Sequence, residues 1–122
     1  MNPRDKASLL DIVDAAQLTQ SFIEGMKQQD FLDDIKTQSA VIYQIAIIGE
    51  ATKRLSTDFR QKHPHIPWNQ IAGMRDKLVH DYNGTDLSRI WSVLQSSIPE
   101  LIEAVSLILK EIEIKSAGEK PT

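Results

Sequence analysis

The sequence predicts an all-α fold, an up-and-down bundle of four to five helices. Three observations lead there: long segments repeat apolar residues at spacings of three and four, no segment alternates apolar and polar residues with a period of two, and the links between segments are short. From Ser8 to Met26, Leu9, Ile12, Val13, Ala16, Phe22, Ile23 and Met26 mark a helix with one buried face, closed by Gly25 and the polar Lys27-Gln28-Gln29. Asp30 can cap a second helix, from about Phe31 to Leu55, whose centre, Val41 to Gly49, is apolar on nearly all sides. Gly49 there costs about 1 kcal/mol relative to alanine, so its presence suits close approach by another helix. Glu50 comes next, a carboxylate beside a core, for which a structural pairing with an arginine is weighed against a supporting role at a site.

Ser56 to Gln61 suits one short helical turn before the break His63-Pro64-His65-Ile66-Pro67. Two histidines flanking a proline, with no thiolate near, read as a loop rather than a metal site. Pro67 suits the first turn of the next helix, expected from Trp68 through Ile71, Met74 and Leu78 to His80. Asn83-Gly84-Thr85 is turn chemistry and Asp86 a cap. The last helix starts at Leu87 and keeps its apolar spacing to Ile112, with a kink near Pro99, where the missing N–H breaks the ladder. Residues 1–114 are expected to form one domain and residues 115–122 a polar tail.

Composition narrows the function. The proportions, 41% hydrophobic and 25% charged, are those of a globular chain. The absence of cysteine excludes a disulfide frame and thiolate zinc sites and fits the cytoplasm. Neither a signal peptide nor a run of roughly 20 apolar residues is apparent, so no membrane association is expected. The net charge of -3 argues against indiscriminate coating of nucleic acid. Its distribution is uneven. Between Lys53 and Arg89 seven Lys/Arg face four acids, while the rest of the chain carries seven bases and thirteen acids, and all three histidines fall in the basic middle. A local basic region suits a phosphate-bearing ligand.

Within it, the stretch Arg75-Asp76-Lys77-Leu78-Val79-His80-Asp81-Tyr82 gathers the chemistry. Arg75 offers a permanent charge and a planar fork of donors suited to phosphate. His80 can give and take protons at neutral pH. On a continuous helix Asp76 would lie one turn from His80 and orient its imidazole. At about 100° per residue, however, His80 would be turned by roughly 140° from Arg75. Either the helix ends near His80, or the two groups meet through a second copy. A two-fold dimer would also supply the separate acid and base needed to take a proton from an attacking oxygen and give one to a departing oxygen.

Three blocks carry a family resemblance: Ile48-Gly49-Glu50-Ala51-Thr52-Lys53-Arg54-Leu55-Ser56, Ile66 to Met74 running into Arg75–Tyr82, and Asp86-Leu87-Ser88-Arg89-Ile90-Trp91. With them the sequence resembles the HepT-like proteins of the HEPN superfamily, whose signature is an arginine, a polar residue directly after it, and a histidine four to six residues on. Arg75, Asp76 and His80 fill those places, and Tyr82 matches the tyrosine two after the histidine in the HepT-like form. The resemblance implies a homodimer with facing signatures that cleaves RNA without metal or other cofactor. It further implies a toxin whose antitoxin, an MntA-like nucleotidyltransferase, attaches AMP to the position of Tyr82. Arg75, His80 and Asp76 are then the expected catalytic residues, Tyr82 the expected modification site, and Glu50 and Lys77 candidate supports. The competing expectation is a non-catalytic helical dimer that binds RNA or nucleotide and serves only as the nucleotidyltransferase's substrate.

Overall fold

The computed structural model describes residues 1–80 and 84–118, with His80, Gly84 and residues 116–118 described by backbone alone. The architecture is an all-α bundle. Helix α1 (Pro3–Phe22) begins earlier than its apolar spacing announces, because Asn2 accepts the Arg4 N–H at 2.7 Å and Pro3 takes the first helical position. It ends in a turn at Gly25, whose φ of +79° lies in the left-handed region that glycine tolerates best. The expected second helix is divided. A short α2 (Gln28–Leu32) precedes α3 (Ile35–Lys53), which Asp34 caps by accepting the Thr37 N–H at 3.1 Å.

Helix α4 (Thr57–Lys62) starts at Ser56, whose hydroxyl accepts the Phe59 N–H and donates to the buried Asp5 carboxylate at 2.7 Å. The Ser56 N–H donates to the same carboxylate at 2.8 Å, fixing the start of α4 to the first turn of α1. Next come α5 (Trp68–Ala72) and α6 (Met74–Leu78), separated at Gly73. Two residues of extended chain, β1 (Val79–His80), pair antiparallel with β2 (Gly84–Thr85). The expected single helix from Trp68 to His80 is therefore two short ones that stop before the histidine.

The last helix bends as expected. Asp86 caps α7 (Leu87–Gln95) by accepting the Arg89 N–H, and α8 (Ser97–Gly118) begins after a break at Ser96. Pro99 lies in the first turn of α8, where its missing N–H costs no helical bond. Helix α8 continues beyond Ile114 to Gly118, into the stretch expected as tail, and residues 119–122 lie outside the described residues.

The core forms where α1 packs against α3 and α8, filled by Leu9, Ile12, Ile45, Ile48, Ile98 and Val105, all almost wholly buried. Phe31 and Trp91 join α2 to α7 with ring centroids 5.5 Å apart. Gln20 donates to the Leu94 carbonyl at 2.9 Å, using an acceptor near the α7–α8 break. The stretch Leu87–Lys115 is long and apolar enough to cross a membrane by length and composition; here it is bent at Ser96 and gives Ile90, Leu94, Ile98 and Leu101 to the core.

Candidate functional site

Two features of the fold place α6. Gly49 lets α3 approach α5: a Cβ built at Gly49 would stand 3.1 Å from the Ala72 carbonyl oxygen, closer than side chains ordinarily sit to backbone. The close approach expected at this glycine is thus present, and it sets Gly73 and α6 directly beyond the contact. On the other side of α5, Phe59 stacks on His63 at 4.6 Å and on Trp68 at 5.7 Å, and the Trp68 indole donates to the His63 carbonyl at 3.0 Å. The His63–Pro67 turn is consequently tied to both α4 and α5. Among the described residues no group of three His, Cys, Asp or Glu residues could hold a metal ion.

Arg75 lies on the exposed side of α6, with half of its side chain accessible. Its Nη1 is 3.4 Å from the Asp76 carboxylate, an exposed contact that holds the guanidinium only loosely. Because α6 ends at Leu78, the expected one-turn relation between Asp76 and His80 is absent. The pairing of Val79–His80 with Gly84–Thr85, reinforced by the Asp86 N–H donating to the Leu78 carbonyl at 3.1 Å, replaces the last helical turn. The chain thus takes the first of the two routes that its geometry allows, leaving the helix before His80. The backbone of His80 stands in β1, its side chain is outside the described part, and Tyr82 lies outside the described residues altogether.

Among the described residues Glu50 is not paired with an arginine. It is exposed on α3, where Lys53 one turn on approaches its carboxylate to 3.4 Å. No hydrogen bond or ion pair among the described residues joins it to Arg75, Asp76 or Lys77. Lys77 faces elsewhere, into a groove of about 430 Å³ bounded by α5 and α6 on one side and α7 and α8 on the other. Arg89, His65, Gln70, Ser97 and Glu100 also line this groove, and reading the sequence did not single them out as site residues. One signal was available: Arg89 stands in the first turn of α7, where the helix dipole disfavours a cation, so helix stability does not account for it.

Residues 12–108 match the family model described as ribonuclease HepT-like. The chain belongs to the ribonuclease HepT-like family. Among HepT-like relatives, a protein of Thermococcus cleftensis named "Probable ribonuclease HepT" is 45% identical over 101 residues, covering 83% of this chain and 92% of that one. A Methanocaldococcus jannaschii protein named "Putative RNase MJ1216" is 39% identical over 116 residues, covering 94% of this chain and 96% of its own. No solved structure matches the chain. The HepT-like match spans α6, which carries Arg75 and Lys77, and α7, which carries Arg89.

Proposed function

We propose that the chain is the toxin of a toxin–antitoxin pair, an endoribonuclease that needs no metal and acts as a homodimer through Arg75 and His80 of both copies. The supporting observation is that Arg75 stands exposed on a one-turn helix ending two residues before His80, inside a segment matched by a ribonuclease family. In this reading one imidazole takes the proton of a ribose 2'-hydroxyl, and the freed oxygen attacks the neighbouring phosphorus. The second copy's imidazole gives a proton to the departing 5'-oxygen. The products are a 2',3'-cyclic phosphate and a 5'-hydroxyl. Arg75 donates to the phosphoryl oxygens as negative charge grows on them. Asp76 lies 3.4 Å from the guanidinium, and Lys77, in the groove on another face of α6, adds to the positive charge of the segment. A supporting role for Glu50 would run through Lys53, its ion-pair partner one turn on along α3.

Control falls to Tyr82. An MntA-like nucleotidyltransferase that attached AMP there would add a bulky anion two residues after His80 in the signature and compete with RNA. Cleavage of RNA in the presence of a chelator tests the core of the reading. His80→Ala is expected to lose at least about 10²-fold in rate and to abolish growth arrest on expression. Equal cleavage by the variant and the original overturns the assignment, and binding without products at any enzyme concentration favours the non-catalytic dimer. Mass spectrometry after co-expression with the nucleotidyltransferase is expected to show added AMP that Tyr82→Phe lacks.

A further inference from the structure

We infer that the groove between α5–α6 and α7–α8 seats one nucleotide of single-stranded RNA adjoining the phosphate that is cut, with Lys77 and Arg89 on its phosphates and Gln70 and Glu100 on its base. This rests on the nuclease reading for what lies next door, while the case for the groove comes from its own residues. Its volume, about 430 Å³, lies within the range of small-ligand sites, about 300–1,000 Å³. Its floor is apolar, built from Ile71, Leu78 and Leu101, all buried, with Ile66 and Met74 beside them, a surface on which the flat face of a base can rest. Its rim is polar. Lys77 and Arg89 approach from two different elements, and neither forms a salt bridge with another described residue. Among the described residues Glu100 is the one acid in the lining, against the cations Lys77 and Arg89 and beside His65.

The place of the groove is set by α6. Met74, Lys77 and Leu78 share the face that lines it, whereas Arg75 is turned about 100° from Met74 around the helix. Arg75 is not among the residues lining the groove, so the groove is assigned a neighbour on the same strand rather than the scissile phosphate. Gln70, which both donates and accepts, and Glu100, which accepts from an exocyclic amine, can distinguish bases by their edges. His65 offers an aromatic face at the mouth.

The test uses the full chain and a short RNA carrying 2'-O-methyl groups, which binds but cannot be cut. Its affinity is measured over a range of salt for the original, Lys77→Gln and Arg89→Gln. Each substitution is expected to reduce the slope of log affinity against log salt by about 0.7, the value for one phosphate contact on a single strand. In parallel, cleavage sites on RNA of mixed sequence are mapped for Gln70→Ala and Glu100→Gln. A change in base preference of about fivefold or more at one fixed position beside the cut is expected. All four side chains are exposed, so circular dichroism spectra should superimpose on the original's.

Unchanged slopes together with an unchanged base preference overturn the inference while leaving the nuclease reading intact. Failure of the original chain to bind the methylated RNA also overturns it. If the original binds but never cleaves, and the slopes still fall, the nuclease reading is lost and the groove stands as a nucleotide seat.

Discussion

Burial pushes the His63 imidazole below the ordinary histidine value near 6.5, the neighbouring His65 and Lys62 add to this, and Glu111 opposes it. The folded chain therefore holds this proton less tightly than the unfolded one. Stability from this source is fully present above about pH 6.5 and is lost as the pH falls below that value. Because much of the ring still meets solvent, the effect should stay well under about 1 kcal/mol. Urea midpoints at pH 7.5 and 5.5 should converge slightly in His63→Gln. Arg75 has a larger role. Replacing it by lysine keeps the charge and removes the planar fork, so cleavage should fall by about 10²-fold while the urea midpoint stays unchanged, since the side chain is half exposed. Residue type alone marked Arg75 as suited to phosphate and Lys77 as a candidate support, and the fold exposes Arg75 on α6 and sets Lys77 in the groove. The orienting role read for Asp76 was not secure, because it assumed a helix running through His80, and the carboxylate lies against Arg75 instead.

Gly49 decides how α3 meets α5. In Gly49→Ala the new methyl would sit 3.1 Å from a backbone oxygen that has little freedom to retreat. Overpacking of this kind costs about 1–3 kcal/mol, offset by the gain of about 1 kcal/mol in helix propensity. The net result should be a loss of up to about 2 kcal/mol in urea unfolding, with cleavage reduced in the folded fraction because α6 continues directly from α5. The same contact explains which elements the sequence announced. Helices α1 and α3 carry apolar faces over much of their length, and α7 and α8 do so on either side of their break, so periodicity located all four. The divisions at Gly73 and after Leu78 were hidden, since Ile71, Met74 and Leu78 keep helical spacing across the break. What ends α6 is pairing with Gly84–Thr85, a short hairpin whose second strand lies outside the segment whose apolar spacing reads as helix. The groove was hidden for the same reason: its cations and its floor come from segments far apart in sequence.

The proposed chemistry requires an acid and a base at once, and a single chain supplies one histidine in the signature. If one imidazole from each copy is needed, a mixed dimer of original and His80→Ala subunits is inactive, and activity in a randomly exchanged mixture follows the square of the fraction of original chain. At equal amounts about a quarter of the activity should remain, against about a half if each copy works alone. The two curves separate well before that point, so a titration of variant into original, refolded together to exchange subunits, distinguishes them without knowledge of the RNA target. Substitution of Arg75 gives a second, independent curve. A linear decline for His80→Ala would mean that each chain completes its own reaction, and the extended exit of β1 from α6 would then have to bring His80 back beside Arg75 within one copy.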